Sequence, residues 1–169
     1  MNQNVVSEQS MDFQKRLERA INRGRQAADA EGREAAAAAQ SEEDLRNLHG
    51  KLRLDLSEHI EQCLRALTVQ VAGFQYKSVI GAEGWGARIS RDDVVRSGGK
   101  RESTYTRFEM VVKPFSDAHI VEITTKGTIR NRETLKRSHY QFLNEADIDS
   151  MKNTIDLWVL EFAEEFAKV

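Results

Sequence analysis

Between Thr104 and Phe142 apolar and polar side chains alternate almost without a break, and helical patterns flank the stretch on both sides. A period of two over that length gives a sheet one dry face and one wet face, and the dry face needs helices to cover it. The predicted class is α+β: N-terminal helical segments, a five-stranded antiparallel meander sheet and a C-terminal helix, with the helices packed on one sheet face. The pattern names a shape and leaves the chemistry open.

Two units are expected along the chain. Residues 1–10 read as frayed. A first helix starts near Ser10 or Asp12 as a cap and runs into the alanines Ala35 to Ala39. Its apolar stripe, Phe13, Leu17, Ile21 and Ala28, is thin, and Gly24 and Gly32 each weaken it by about 1 kcal/mol relative to alanine. Alanine favours helix but offers little area to bury, so residues 1–40 are expected to form an arm that is partly flexible or held by another chain. Ser41-Glu42-Glu43-Asp44 has the form of a capping box opening a second helix. Its stripe is Leu45, Leu48, Leu52, Leu56, Ile60, Cys63, Leu67 and Val71, at steps of three and four. This begins an α+β domain over residues 41–169.

Five strands follow. Phe74 to Ile80 carries Phe74, Tyr76 and Ile80 on one face, and Trp85 to Arg91 turns Trp85, Ala87 and Ile89 inward. Residues 92–103 read as a long polar connection with a flexible Ser97-Gly98-Gly99 tip. Thr104 to Lys113 ends at Pro114, the only proline. His119 to Ile129 and Thr134 to Phe142 are joined by a turn at Arg130-Asn131-Arg132-Glu133, and Tyr140 and Phe142 are expected inward. Asn144 is the expected cap of the last helix, whose stripe includes Ile148, Met151, Ile155, Trp158 or Val159, and Phe162. Both tryptophans, Trp85 and Trp158, are expected to be largely buried.

Composition bounds the function classes. The formal net charge is −2, so global charge does not select nucleic acid. The charge is unevenly spread: Lys77 to Arg137 holds 13 Lys/Arg against 8 Asp/Glu, whereas Ser138 to Val169 holds 2 against 7. The single cysteine, Cys63, excludes an intrachain disulfide and suits a reducing compartment. With no cationic start followed by an apolar run, and no apolar stretch of membrane-spanning length, the expectation is a cytoplasmic protein with no membrane partner.

Enzyme signatures are weak. Gly81-Ala82-Glu83-Gly84-Trp85-Gly86 lies between two strands, whereas phosphate-binding glycine loops lead into a helix. His59 and Cys63 stand four apart, so their side chains can meet as metal ligands or as a thiol and its base. No further ligands are apparent from the sequence, and a structural thiol beside a boundary histidine is the expected reading. No catalytic residue, metal or cofactor is assigned.

The wet sheet face carries the candidate binding site. Pairing Phe142 with Val121 and Ile123 with Met110 aligns Lys77, Arg88, Arg107, Lys126 and Arg137 as one cationic row. Opposed like charges are unfavourable in a sheet, so such a row invites an anionic partner. A two-residue shift of the second strand sets Arg88 opposite Glu109 instead and turns the row into ordinary cross-strand pairs. The leading expectation is a non-catalytic binding or assembly module, with self-association or a protein partner through the arm. An anion- or nucleic-acid-binding protein using the basic face is the first alternative, and an enzyme with a site between sheet and helices the second.

Overall fold

A computed structural model describes residues 3–169, with side chains from Asp12 onward. Residues 1 and 2, part of the segment expected to fray, lie outside the described residues. The chain forms two compact units, Met1–Asp44 and Leu45–Val169. Helix α1 spans Gln3–Gln70, so its first part belongs to unit one and its last part to unit two.

The continuity of α1 corrects two expectations. The helix already exists at Ser10 and Asp12, and it does not stop before Ser41. Ala35 to Ala39 are the strongest helix formers available. Glu42 and Glu43 sit comfortably inside a helix, and no glycine or proline lies between Arg33 and Leu48 to interrupt the backbone. A capping-box pattern opens a helix only where the preceding backbone is extended, and here it is already helical.

Unit two holds the rest. Strands β1 (Gln75–Gly81), β2 (Gly84–Ser97), β3 (Lys100–Val112), β4 (Ile120–Ile129) and β5 (Arg132–Phe142) form one antiparallel sheet in chain order. A short 3-10 turn, Leu143–Glu145, leads to helix α2, Ile148–Ala167. The α+β meander predicted from alternation is the architecture found. No helix among the described residues is long and apolar enough to cross a membrane.

The core lies between the sheet and the two helices. Leu56, Ile60 and Leu64 of α1 and Met151, Ile155 and Phe162 of α2 are buried with Ile89, Phe108, Met110, Val121 and Ile123 of the sheet. Phe162 stacks on Phe108 with ring centroids 4.3 Å apart. Its ring edge also fills the space above Gly127, where an added Cβ would lie 3.0 Å from Phe162 and 3.2 Å from Leu135. Trp158 is buried as expected. Trp85 is half-buried, with the Arg53 guanidinium of α1 4.2 Å above its ring. Arg65 covers Tyr76 in the same way at 3.9 Å. Ile80, expected inward, lies at the end of edge strand β1 and is exposed.

The sheet departs from expectation in two places. Residues 92–103 are not a loop: β2 and β3 remain paired from Trp85↔Val112 out to Ser97↔Lys100. Gly98 and Gly99 turn the hairpin with φ of 56° and 81°, the positive values that a two-residue turn matched to strand twist requires. Polar residues there mark a hairpin solvated on both faces rather than a break in pairing.

The inward face of β5 is also reversed. Leu135 is buried, whereas Tyr140 and Phe142 are about half exposed. Phe142 pairs with Ile120 and His139 with Ile123, one residue away from the anticipated register. The cause is a bulge: Gly127 pairs with Leu135 and Thr128 with Glu133, so Thr134 is extra. One inserted residue turns over every side chain beyond it. Finally, α2 is capped by Asp147, whose carboxylate accepts from the amides of Asp149 and Ser150, and not by Asn144.

Candidate functional site

Three places carry candidate function, the first in unit one. Every side chain from Asp12 to Ser41 is exposed. Phe13, Leu17 and Ile21 are 63%, 49% and 47% exposed. At 100° per residue they share one helical face, within about 80°, with Gly24, Ala28, Ala35 and Ala39. The same arc of about 80° also takes in Glu31 and Glu42, so the stripe is bulky and apolar in its first half and, in its second, made of small residues interrupted by two acids. Charge divides likewise. Residues 12–28 hold Lys15, Arg16, Arg19, Arg23 and Arg25 against Asp12 and Glu18, whereas residues 29–44 hold six acids against Arg33.

The second place is the open sheet face. The register sets Lys77 opposite Arg88, as anticipated, but Arg88 opposite Glu109, not Arg107. Lys126 faces Glu109 on one side and Lys136 on the other. The line across five strands is thus Lys77, Arg88, Glu109, Lys126, Lys136, with an acid at its centre. Arg88 Nε donates to Glu109 Oε2 at 2.6 Å, and Lys126 forms a 3.5 Å ion pair with Glu133. Arg107 lies two residues along, between Ser90 and Thr128. Arg137 is on the opposite face, where its guanidinium donates to Glu161 of α2 at 2.9 Å. The uninterrupted row of Lys77, Arg88, Arg107, Lys126 and Arg137 therefore does not form. β3 is shifted by two residues against both neighbours, so that Ile123 faces Val112 and not Met110; this replaces Arg107 by Glu109, and the β5 bulge exchanges Arg137 for Lys136.

The third place lies between α1 and α2 within unit two. The His59 Nε2 is 2.7 Å from Asp156 Oδ1 and 3.6 Å from Cys63 Sγ, and the thiol donates to the same Asp156 oxygen at 3.4 Å. The core stripe of α1 runs Ile60, Leu64, Leu67, so Leu64 takes the fully buried position. Cys63 is turned to the helix boundary, facing α2. Burial, followed by the hydrogen bond to Asp156 and its charge, pushes the Cys63 thiol up to about 12. It is therefore a protonated donor in this state and a poor nucleophile. Asp156 and Cys63 meet the same imidazole nitrogen, whereas a catalytic triad uses one ring nitrogen for each partner. The i, i+4 spacing of His59 and Cys63 was visible in the sequence. Asp156 was not, because nothing local signals which helix will face them 93 residues later.

No family model, curated protein or solved structure matches the chain. Function here rests on the geometry alone.

Proposed function

We propose that this protein is a non-catalytic assembly module that associates with a second copy of itself through the N-terminal part of α1, the two helices lying antiparallel. The observation that carries the reading is the exposed stripe of Phe13, Leu17 and Ile21 on a helix with no other apolar contact among the described side chains of unit one. A lone helix gains little from propensity and is held mainly by packing of its apolar face, so such a stripe calls for a partner.

Two features favour a second copy over an unrelated chain. An antiparallel pair centred near Ala28 sets Leu17 and Ile21 of one copy against Ala35 and Ala39 of the other, bulky residues into the space small ones leave. The same arrangement sets the basic half of each helix against the acidic half of its mate. A parallel pair would align like charge with like. A nucleic-acid partner on the sheet is less favoured, because Glu109 divides the basic line and occupies Arg88.

The test uses the full chain and the Leu17→Gln/Ile21→Gln variant, whose glutamines retain helix propensity. Sedimentation equilibrium is expected to give a dimer for the wild type and at least about tenfold weaker association for the variant, corresponding to about 1.4 kcal/mol. A wild-type monomer across the micromolar range, or a variant that dimerises equally well, contradicts the proposal.

A further inference from the structure

We propose that His59, Cys63 and Asp156 form a binding site for one divalent transition-metal ion of the zinc type, with a water molecule as fourth ligand. The three donor atoms lie within 4.8 Å of one another, and they come from two helices packed in the same unit. For a tetrahedral ion with bonds of about 2.3 Å to sulfur and about 2.0–2.2 Å to nitrogen and oxygen, the donor–donor edges are about 3.6 Å for the sulfur pairs and about 3.4 Å for nitrogen–oxygen. The observed sulfur pairs are 3.6 Å and 3.4 Å. Only the 2.7 Å His59–Asp156 hydrogen bond must open, by less than 1 Å. Both helices can therefore stay where they are.

The donor chemistry selects the ion. A thiolate and an imidazole exclude magnesium and calcium, which take oxygen ligands, whereas a mixed sulfur, nitrogen and oxygen set suits zinc or cobalt. His59 and Cys63 on successive turns of one helix give the two-ligand spacing that helical zinc sites use. Asp156 closes the third corner from α2. The fourth corner is left to solvent: apart from Cys63 and Asp156, the groove there is lined by apolar side chains such as Ala66, Leu67 and Leu160, with Gln70 its one further polar residue. As the ion binds, the thiol proton leaves to solvent and the imidazole carries its remaining proton on Nδ1, freeing Nε2. The bound ion would tie the last turns of α1 to α2 and stabilise unit two in proportion to its concentration.

The experiment titrates chelator-stripped full chain with cobalt(II) and follows the near-ultraviolet thiolate-to-cobalt band. One equivalent per chain is expected, displaced by zinc and unaffected by millimolar magnesium. Asp156→Asn keeps the side chain's shape while removing a charged ligand, and Cys63→Ser removes the sulfur. Affinity is expected to fall at least about 100-fold in the first and the band to vanish in the second. Zinc is expected to raise the unfolding temperature of the wild type and not of Asp156→Asn. A wild-type spectrum without the thiolate band overturns the proposal whether or not either variant folds. Unchanged cobalt affinity in Asp156→Asn, or displacement by magnesium, overturns it equally.

Discussion

Residues 12–41 and residues 45–70 belong to one helix with the same backbone bonding, yet the two stretches are held by different forces. In the second, Leu56, Ile60 and Leu64 are fully buried against the sheet and α2. In the first, no described side chain is buried. Helix in unit two is stabilised by packing, whereas helix in unit one rests on the propensity of its residues, its alanines above all. The same stripe spacing is structural in unit two, where the sheet and α2 cover it, and stays exposed at Phe13, Leu17 and Ile21 in unit one.

Substitution should separate the two stretches most sharply. Phe162→Ala removes the ring stacked on Phe108 and is expected to cost about 3–5 kcal/mol in denaturant unfolding of unit two. Leu17→Ala in unit one should move the same transition by no more than about 0.5 kcal/mol. Equal losses would mean that the first stretch is part of the folded core.

Gly127→Ala sharpens the comparison at a single Cβ. Its methyl would crowd Phe162 and Leu135, and about 1–3 kcal/mol of destabilisation is expected from calorimetry. Gly24→Ala, with nothing within 4 Å of its added Cβ, should stabilise the helix by up to about 1 kcal/mol.

A pH effect should also belong to unit two alone. His49 is buried against the Phe115 ring, with its Nε2 unpaired among the described residues. Burial lowers its pKa, a hydrogen bond to the Lys113 backbone opposes that, and the Arg53 charge lowers it further. The unfolded chain takes up this proton near pH 6.5 while the folded chain still resists it. Stability should therefore be full above that pH and fall as pH drops below it, by at most about 1.4 kcal/mol per pH unit. His49→Phe should flatten the profile between pH 7 and 5. A wild-type profile already flat there would show that the ring is not held neutral.

The smallest effect is expected on the open sheet face. Arg107→Gln/Lys126→Gln should change stability by no more than about 0.5 kcal/mol, since Lys126 loses only an exposed 3.5 Å pair with Glu133. Unfolding of this double variant would mean that its side chains are structural.

Alternation alone made the sheet, its chain-order topology and most of its core legible, because Phe108, Met110, Val121 and Ile123 obey a period of two without interruption. What failed had local physical causes. The extra residue at Thr134 reversed β5, and a bulge has no signature in an alternating pattern until pairing is known. Glu109 entered the basic line because two strand pairings that differ by two residues present the same faces. The hairpin over residues 92–103 was hidden by its own polarity, since a strand pair solvated on both sides has no dry face to alternate. Two of the three members of the His59–Cys63–Asp156 cluster were visible as an i, i+4 pair, and the third needed the packing of α2.

Antiparallel pairing of two arms can be measured as a distance. In a Cys63→Ser background, spin labels at Gln14→Cys and, separately, at Ala27→Cys, both flanking the stripe, report the separation between copies. With the pair centred near Ala28, the labels at residue 27 should lie close across the two helices, and those at residue 14 about 40 Å apart along the axis. Short distances at both positions would establish a parallel pair, and no coupling at either would establish that the arms do not meet; each result contradicts the account.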